Sequence, residues 1–234
     1  MFYPELIQGI RETDRVLEVG PGANPHPRSD VLLEKRFQSD GEARRQRGNT
    51  EETVIKAKLV LYEGERFPFS DGEFDYVICS HVLEHVECIE TFAEELFRVA
   101  KKGYVEYPTL YYEYLYNFSV HRNLLKSKNQ VLYYLKKTLT PLSVFEPVQK
   151  FFYRTLERGN TQFVDSLKEI MFEGFEWRGR FEIRSAETLC DLTFDRTAIE
   201  QLLDSRRIRP ESRWLRMLRS GLNRMKVNQA NRRS

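Results

Sequence analysis

The pattern of apolar and polar positions changes character along the chain. Short, β-rich apolar runs stand at Arg15–Val19, Val31–Glu34, Lys58–Tyr62, Asp75–Cys79 and Tyr104–Tyr107, and each predicts a strand. Between the last two, Ile89, Phe92, Ala93, Leu96, Phe97 and Ala100 recur at helical spacing while Glu94 and Glu95 fall outside the stripe. Lys101 and Lys102 give that helix a basic last turn, and Gly103 follows it. Strand, helix and strand in this order predict a parallel βαβ unit. A short helix is expected over Tyr3–Arg11.

Beyond Leu110 the short strands give way to aromatic-rich sequence. Leu110 to Met171 predicts helices broken near Pro141 and Pro147, an inserted cap beside the sheet. Phe175 to Ile183 predicts an antiparallel hairpin turning near Gly179, and Asp195–Arg206 a last helix. The fold expected is α/β: a doubly wound, mostly parallel sheet with a terminal antiparallel hairpin and a helical cap insertion. One domain would cover residues 1–204, with 110–171 as the cap and substrate segment and 205–234 as a tail. No internal repeat or low-complexity tract interrupts this reading.

With 234 residues, 41% hydrophobic and 31% charged, the chain has enough apolar sequence for a sizeable core. The apolar runs are too short to span a membrane. The N-terminal residues lack the features of a secretory signal. Cys79, Cys88 and Cys190 form no metal-binding or disulfide framework, so a reducing, cytoplasmic setting is expected.

The net charge of +2 hides an asymmetry. Residues 205–234 hold ten Arg or Lys against one acid, Glu211, a local charge of +9. The remaining residues hold 27 basic and 34 acidic side chains, a charge of −7. Such a body has no reason to bind nucleic acid. In the tail, Trp214, Leu218, Leu222 and Met225 share a helical face, with Arg213, Arg216, Arg219 and Arg224 around them. That pattern suits an anionic membrane surface, an acidic partner or the protein's own acidic body.

Candidate chemistry begins where the first strand runs into Gly20-Pro21-Gly22. Two glycines one residue apart allow a ligand to approach the backbone closely. In open parallel sheets ligands bind beyond the carboxyl ends of the strands, and here those ends are consistently polar. The first offers Glu18, Gly20, Pro21, Gly22 and Asn24, and the second Glu34 and Lys35. The third offers Glu63, Gly64 and Glu65, and the fourth Ser80 and His81. A carboxylate after the second strand can accept from both ribose hydroxyls, and one beyond the third from an adenine amine. Together they describe a site for a nucleoside-containing ligand.

Two stretches carry a family resemblance: Val16-Leu-Glu-Val-Gly-Pro-Gly-Ala-Asn24, and Phe67-Pro-Phe-Ser-Asp-Gly-Glu-Phe-Asp-Tyr-Val-Ile-Cys-Ser-His-Val-Leu-Glu-His-Val86. The chain resembles the class I S-adenosylmethionine-dependent methyltransferases. The second stretch is similar to a signature of the small-molecule group that includes the ubiquinone-pathway enzymes. The likeness covers about the first half of the chain and ends by Pro108. It implies a Rossmann-like fold and S-adenosylmethionine as cofactor, and the in-line methyl transfer expected of it requires no metal. It places Glu18, Gly20 and Gly22 around the methionine part, Glu34 at the ribose, and Glu63 with Glu65 on the adenine side. Ser80 to Val82 would line the methyl-donor pocket. Asn24 replaces the third glycine of the motif. Only seven residues separate Gly22 from Asp30, two of them proline, too few for the usual crossover helix. Loop N–H groups, Asn24, His26 or Arg28 would then hold the cofactor carboxylate.

On the acceptor side, His85 and His121 are the candidate bases for removing a hydroxyl proton. The tyrosines Tyr104, Tyr107, Tyr111, Tyr112, Tyr114 and Tyr116 either face an acceptor or pack the cap. The absence of an Asn-Pro-Pro-Tyr motif favours methylation at oxygen. His81-Val-Leu-Glu-His85 also fits a zinc-peptidase pattern, but the sequence places no third ligand. The expected function is methyl transfer to a small-molecule or glycan- or lipid-linked acceptor. The alternative is a non-catalytic methyltransferase-like scaffold acting through its basic tail. A dinucleotide oxidoreductase is disfavoured because the glycine loop lacks its third glycine.

Overall fold

The computed structural model describes residues 1–36 and 57–205. The chain separates into two units, Met1–Thr193 and Phe194–Ser234. The first contains two sheets. The larger is built from β1 (Val16–Val19), β2 (Val31–Lys35), β3 (Lys58–Tyr62), β4 (Tyr76–Ser80), β5 (Lys102–Pro108) and β8 (Phe172–Arg178). Its order is β3-β2-β1-β4-β5-β8, with five parallel strands and β8 antiparallel against β5 along its full length. Strand order reverses between β1 and β4, which opens a crevice at their carboxyl ends.

All four residues of β1 and all five of β4 are buried, the near-continuous apolar pattern of central parallel strands. Helix α1 (Ile89–Val99) crosses from β4 to β5 and buries Ile89, Phe92, Ala93, Leu96 and Val99. This is the stripe read from the sequence, and it packs in one core with Leu17, Val77, Val105 and Trp177. Leu96 is fully buried. Leu96→Ala is therefore expected to destabilise by about 2–5 kcal/mol, measurable by denaturant unfolding.

The connection from β1 to β2 holds no helix, as the short, proline-rich spacing predicts. The N-terminal helix expected over Tyr3–Arg11 is instead a single 3-10 turn, Pro4–Leu6, followed by an extended strap. Side chains of the sheet capture its backbone: the N–H groups of Gln8 and Gly9 donate to Glu176 Oε1 at 3.0 and 2.7 Å. Those bonds replace the intrahelical ones that a longer helix would have required.

The cap expected over 110–171 is only partly helical. Helix α2 (Leu110–Tyr116), α3 (Glu146–Glu157), α4 (Gln162–Ser166) and α5 (Lys168–Met171) are present. Between α2 and α3, however, β6 (Asn123–Lys128) and β7 (Val131–Lys136) form an antiparallel hairpin. Asn129 and Gln130 both take left-handed φ, 52° and 64°, the two-residue turn that suits a right-handed strand twist. Leu132 and Leu135 are buried on β7, and the Gln in place of the usual turn glycine conceals the hairpin in the sequence.

The terminal hairpin is also revised. β8 and β9 (Glu182–Ser185) do not pair with each other: β8 joins β5, whereas β9 runs parallel to β7 in a second sheet of order β6-β7-β9. Gly179, at φ +71°, turns the chain out of the large sheet, and buried Phe181 fixes the crossing against Phe97 and Trp177.

The second unit contains α6 (Arg196–Ser205). The basic amphipathic tail falls on 206–234, outside the described residues. Among the described residues no helix is long and apolar enough to cross a membrane, and Cys79, Cys88 and Cys190 are all free thiols.

Candidate active site

A cleft of about 890 Å³ opens over the carboxyl ends of β1 to β4. Gly20, Pro21, Gly22 and Asn24 line it from the first strand, and Glu34 and Lys35 from the second. Gly64 and Glu65 follow from the third strand, and Ser80, His81 and Val82 from the fourth. Gly20 and Gly22 both have left-handed backbone, φ +64° and +60°, which an L side chain adopts at a cost. Their surroundings differ. A Cβ on Gly20 would meet Val82 Cγ2 at 2.5 Å, whereas one on Gly22 would meet nothing within 4 Å. Gly20 lets the loop lie against the β4 end, and Gly22 leaves space in the cleft.

Four of the sequence candidates point elsewhere. Glu18 does not line the cleft; its buried carboxylate accepts from the His26 N–H at 2.7 Å and the Ser29 hydroxyl at 2.6 Å. It holds the glycine loop folded from beneath, in place of the missing helix. Burial raises its pKa above the usual carboxylate value, against the lowering effect of those two donors. Arg28 also turns away, giving its guanidinium to the carbonyls of Arg11 and Glu12. The His26 ring accepts from the Arg28 N–H at 3.3 Å, and neither residue lines the cleft. Glu63 pairs with Arg36 at 3.3 Å and leaves the cleft wall to its neighbours. Of the groups proposed for a cofactor carboxylate, Asn24 and the loop N–H groups remain.

The floor beside β4 is a buried charge network. Glu106 on β5 is fully buried and accepts from the Phe2 and Tyr3 N–H groups, the Ser80 hydroxyl and the Tyr104 hydroxyl, at 2.7–2.8 Å. His81 Nε2 stands 3.1 Å away. Burial pushes the Glu106 carboxyl up, but His81 and the backbone donors outweigh it and hold the value at about 2. His81 has left-handed backbone, φ 57°, a rare state for a non-glycine residue. Burial would lower its pKa, yet Glu106 and Glu84 on either side keep it raised. His81 is thus held in the cleft wall between two buried carboxylates. Phe2 completes this wall by stacking on Phe172 at 3.8 Å. The sequence held no signal for Phe2, which lines the cleft only because Glu106 anchors the strap.

His85 lines the cleft, and His121 lies behind it with ring centroids 4.6 Å apart. They are 36 positions apart in sequence. The peptide N–H groups of Arg122 and Asn123 bind the Glu84 carbonyl at 2.6 and 3.1 Å, and the Asn123 amide binds the Leu83 and Val86 carbonyls. These bonds clamp the two segments together. The His85 Nδ1 stands 3.2 Å from the Val120 carbonyl, and His121 Nδ1 is 2.5 Å from Glu113 Oε1. Burial lowers the His85 pKa, the His121 charge adds to that effect, and Glu84 opposes it. Arg122, which the sequence did not single out, joins His85 in the wall.

None of the six clustered tyrosines lines this cleft. Tyr104 and Tyr107 are buried, with hydroxyls on Glu106 and Glu173. Tyr112 and Tyr116 pack with Phe118, and Tyr112 also meets Phe172. They serve the packing between sheet and cap.

A family model described as methyltransferase domain matches residues 37–105, from beyond β2 through the Phe67–Val86 stretch and α1 into β5. This match supports a methyltransferase with S-adenosylmethionine as its cofactor. No curated protein matches the chain. Among solved structures, the YcgJ protein of Bacillus subtilis is 18% identical with a TM-score of 0.34, over 47% of this chain and 52% of that one. An S-adenosylmethionine-dependent methyltransferase of Methanosarcina mazei is 18% identical with a TM-score of 0.35, over 55% and 73%. One from Mesorhizobium loti is 10% identical with a TM-score of 0.39, over 70% and 90%. The chain thus spans about half the length of the YcgJ protein.

Proposed function

We propose that this protein transfers a methyl group from S-adenosylmethionine to an oxygen of a small-molecule, glycan-linked or lipid-linked acceptor. The observation that carries the reading is the convergence of four strand ends on one cleft at the point where strand order reverses. In this reading the glycine loop receives the methionine part, Glu34 the ribose hydroxyls and Glu65 the adenine side. Ser80, His81 and Val82 flank the methyl donor. The likeness of Phe67–Val86 to the ubiquinone-pathway group supports a small-molecule acceptor, and the absence of an Asn-Pro-Pro-Tyr motif an oxygen target.

Methyl transfer is an in-line displacement at the sulfonium methyl carbon, so positioning supplies most of the rate. The His81 ring, fixed between Glu84 and Glu106, and the anchored strap shape that position. The acceptor enters from the side of His85 and Arg122, where His85 and His121 act on its hydroxyl proton.

Glu34 provides a direct test. It is nearly buried and lines the cleft, and its carboxylate can accept from both ribose hydroxyls. Charge-assisted bonds contribute roughly 1.5–3 kcal/mol each, so losing two of them in Glu34→Ala is expected to weaken S-adenosylmethionine binding by at least about 100-fold. Isothermal titration of the folded variant measures this. An unchanged dissociation constant would remove Glu34 from the nucleoside site.

A further inference from the structure

Behind the acceptor end of the cleft lies a side-chain cluster whose chemistry direct proton removal does not use. Glu84 is 1% exposed, and neither carboxylate oxygen accepts a hydrogen bond. The nitrogens nearest to it are His81 Nδ1 at 3.4 Å and His85 Nε2 at 3.9 Å. A buried carboxylate without hydrogen bonds is costly, and a cation is the chemistry that satisfies it. Glu84, His85 and His121 each offer one ligand atom, and these atoms lie within 4.8 Å of one another.

The outer partners make the case stronger. His85 turns Nδ1 toward the Val120 carbonyl and has Nε2 on the Glu84 side, and His121 Nδ1 is held by Glu113. Glu113 is itself fully buried and held by Lys137 Nζ at 2.7 Å. Metal-binding histidines are oriented in this way, by a carbonyl or carboxylate on the other ring nitrogen. Two imidazoles and a carboxylate suit a first-row divalent ion such as zinc better than magnesium or calcium.

We propose that Glu84, His85 and His121 bind one first-row divalent metal ion, with an open coordination position on the His85 side, toward the acceptor. The role of that ion rests on the methyl-transfer reading above; the site itself does not. An acceptor hydroxyl held in the open position becomes a stronger acid and gives its proton to water. Its oxygen then forms the new bond to the methyl carbon as the carbon–sulfur bond breaks, and the electron pair stays on sulfur. His85 and His121 thereby act together on the hydroxyl through the ion rather than singly as bases.

The test is a Co²⁺ titration of the full chain after chelator treatment, followed by visible absorption. Cys88→Ser and Cys190→Ser form the background, because these exposed thiols would compete for the ion. One equivalent should bind. Glu84→Gln and His85→Asn should each weaken binding more than about 100-fold, and Glu113→Gln by about 10–100-fold. Circular dichroism reports whether each variant is folded; should Glu84→Gln fail to fold, the parent titration and His85→Asn decide. No bound equivalent in the parent, or unchanged affinity in a folded ligand variant, overturns the site. S-adenosylmethionine binding to the metal-free protein is measured in parallel, so loss of the metal site and loss of the methyltransferase reading give different results.

Discussion

Gly22→Arg is expected to abolish S-adenosylmethionine binding while the protein stays folded. A Cβ at Gly22 would meet nothing within 4 Å, so the added side chain enters the cleft rather than the core. The fold bears only the left-handed backbone at φ +60°, a cost of about 1–2 kcal/mol. Gly20→Arg is a poorer probe, because its Cβ would lie 2.5 Å from Val82 Cγ2 and disturb the β4 end as well. The measurement is a thermal-shift titration with S-adenosylmethionine and its demethylated product, with NADH as a control. At a hundredfold over the dissociation constant a bound ligand adds about 2.7 kcal/mol, which raises Tm by roughly 5–10 °C for a domain of this size. The parent should show that shift with both methyl-cycle ligands and none with NADH, and Gly22→Arg should show none. A variant that keeps the shift would move the cofactor away from the glycine loop. A parent that lacks it would favour the scaffold reading.

Glu106→Ala is expected to destabilise the fold strongly. The mutation leaves the Phe2 and Tyr3 N–H groups, two hydroxyls and the His81 ring without their carboxylate partner. Breaking a buried ionic network from one side costs about 3–5 kcal/mol, which chemical denaturation resolves. The pH dependence supplies a separate test. The carboxyl is held at about 2 against a usual value of 4.5, so its stabilisation is complete above 4.5 and is lost as pH falls toward 2. The loss amounts to about 3 kcal/mol across that window, since each pH unit between the folded and unfolded values is worth about 1.36 kcal/mol. Glu106→Gln should flatten the acid limb of the stability profile there. If parent and Glu106→Gln profiles run parallel between pH 5 and 2, roughly the window where the two protonation states diverge, the network does not stabilise the fold as described.

The parallel strands were legible because each is an apolar run that pairs over its full length, and α1 because its stripe repeats every third or fourth residue. The glycine loop was legible because left-handed backbone and close approach favour one residue type. By contrast, the β6–β7 hairpin hid behind Asn129-Gln130, a turn with no glycine, within an aromatic stretch that reads as helix. The split of β8 from β9 was equally hidden, because a two-strand alternation does not state which sheet each strand will join.

The sequence alone is enough to read an α/β sheet and the polar strand ends beside the glycine loop. Those features depend on local periodicity and on backbone freedom, which neighbouring residues dictate. Only the tertiary structure decided which polar groups enter the cleft. Glu18 commits its carboxylate to the loop, Arg28 its guanidinium to carbonyls of the N-terminal strap, and Glu63 pairs with Arg36. It also brought His121 beside Glu84 and His85, across 36 positions, through hydrogen bonds from the Arg122 and Asn123 N–H groups to the Glu84 carbonyl. A side chain's partner is set by packing between distant segments, and no spacing along the chain records it.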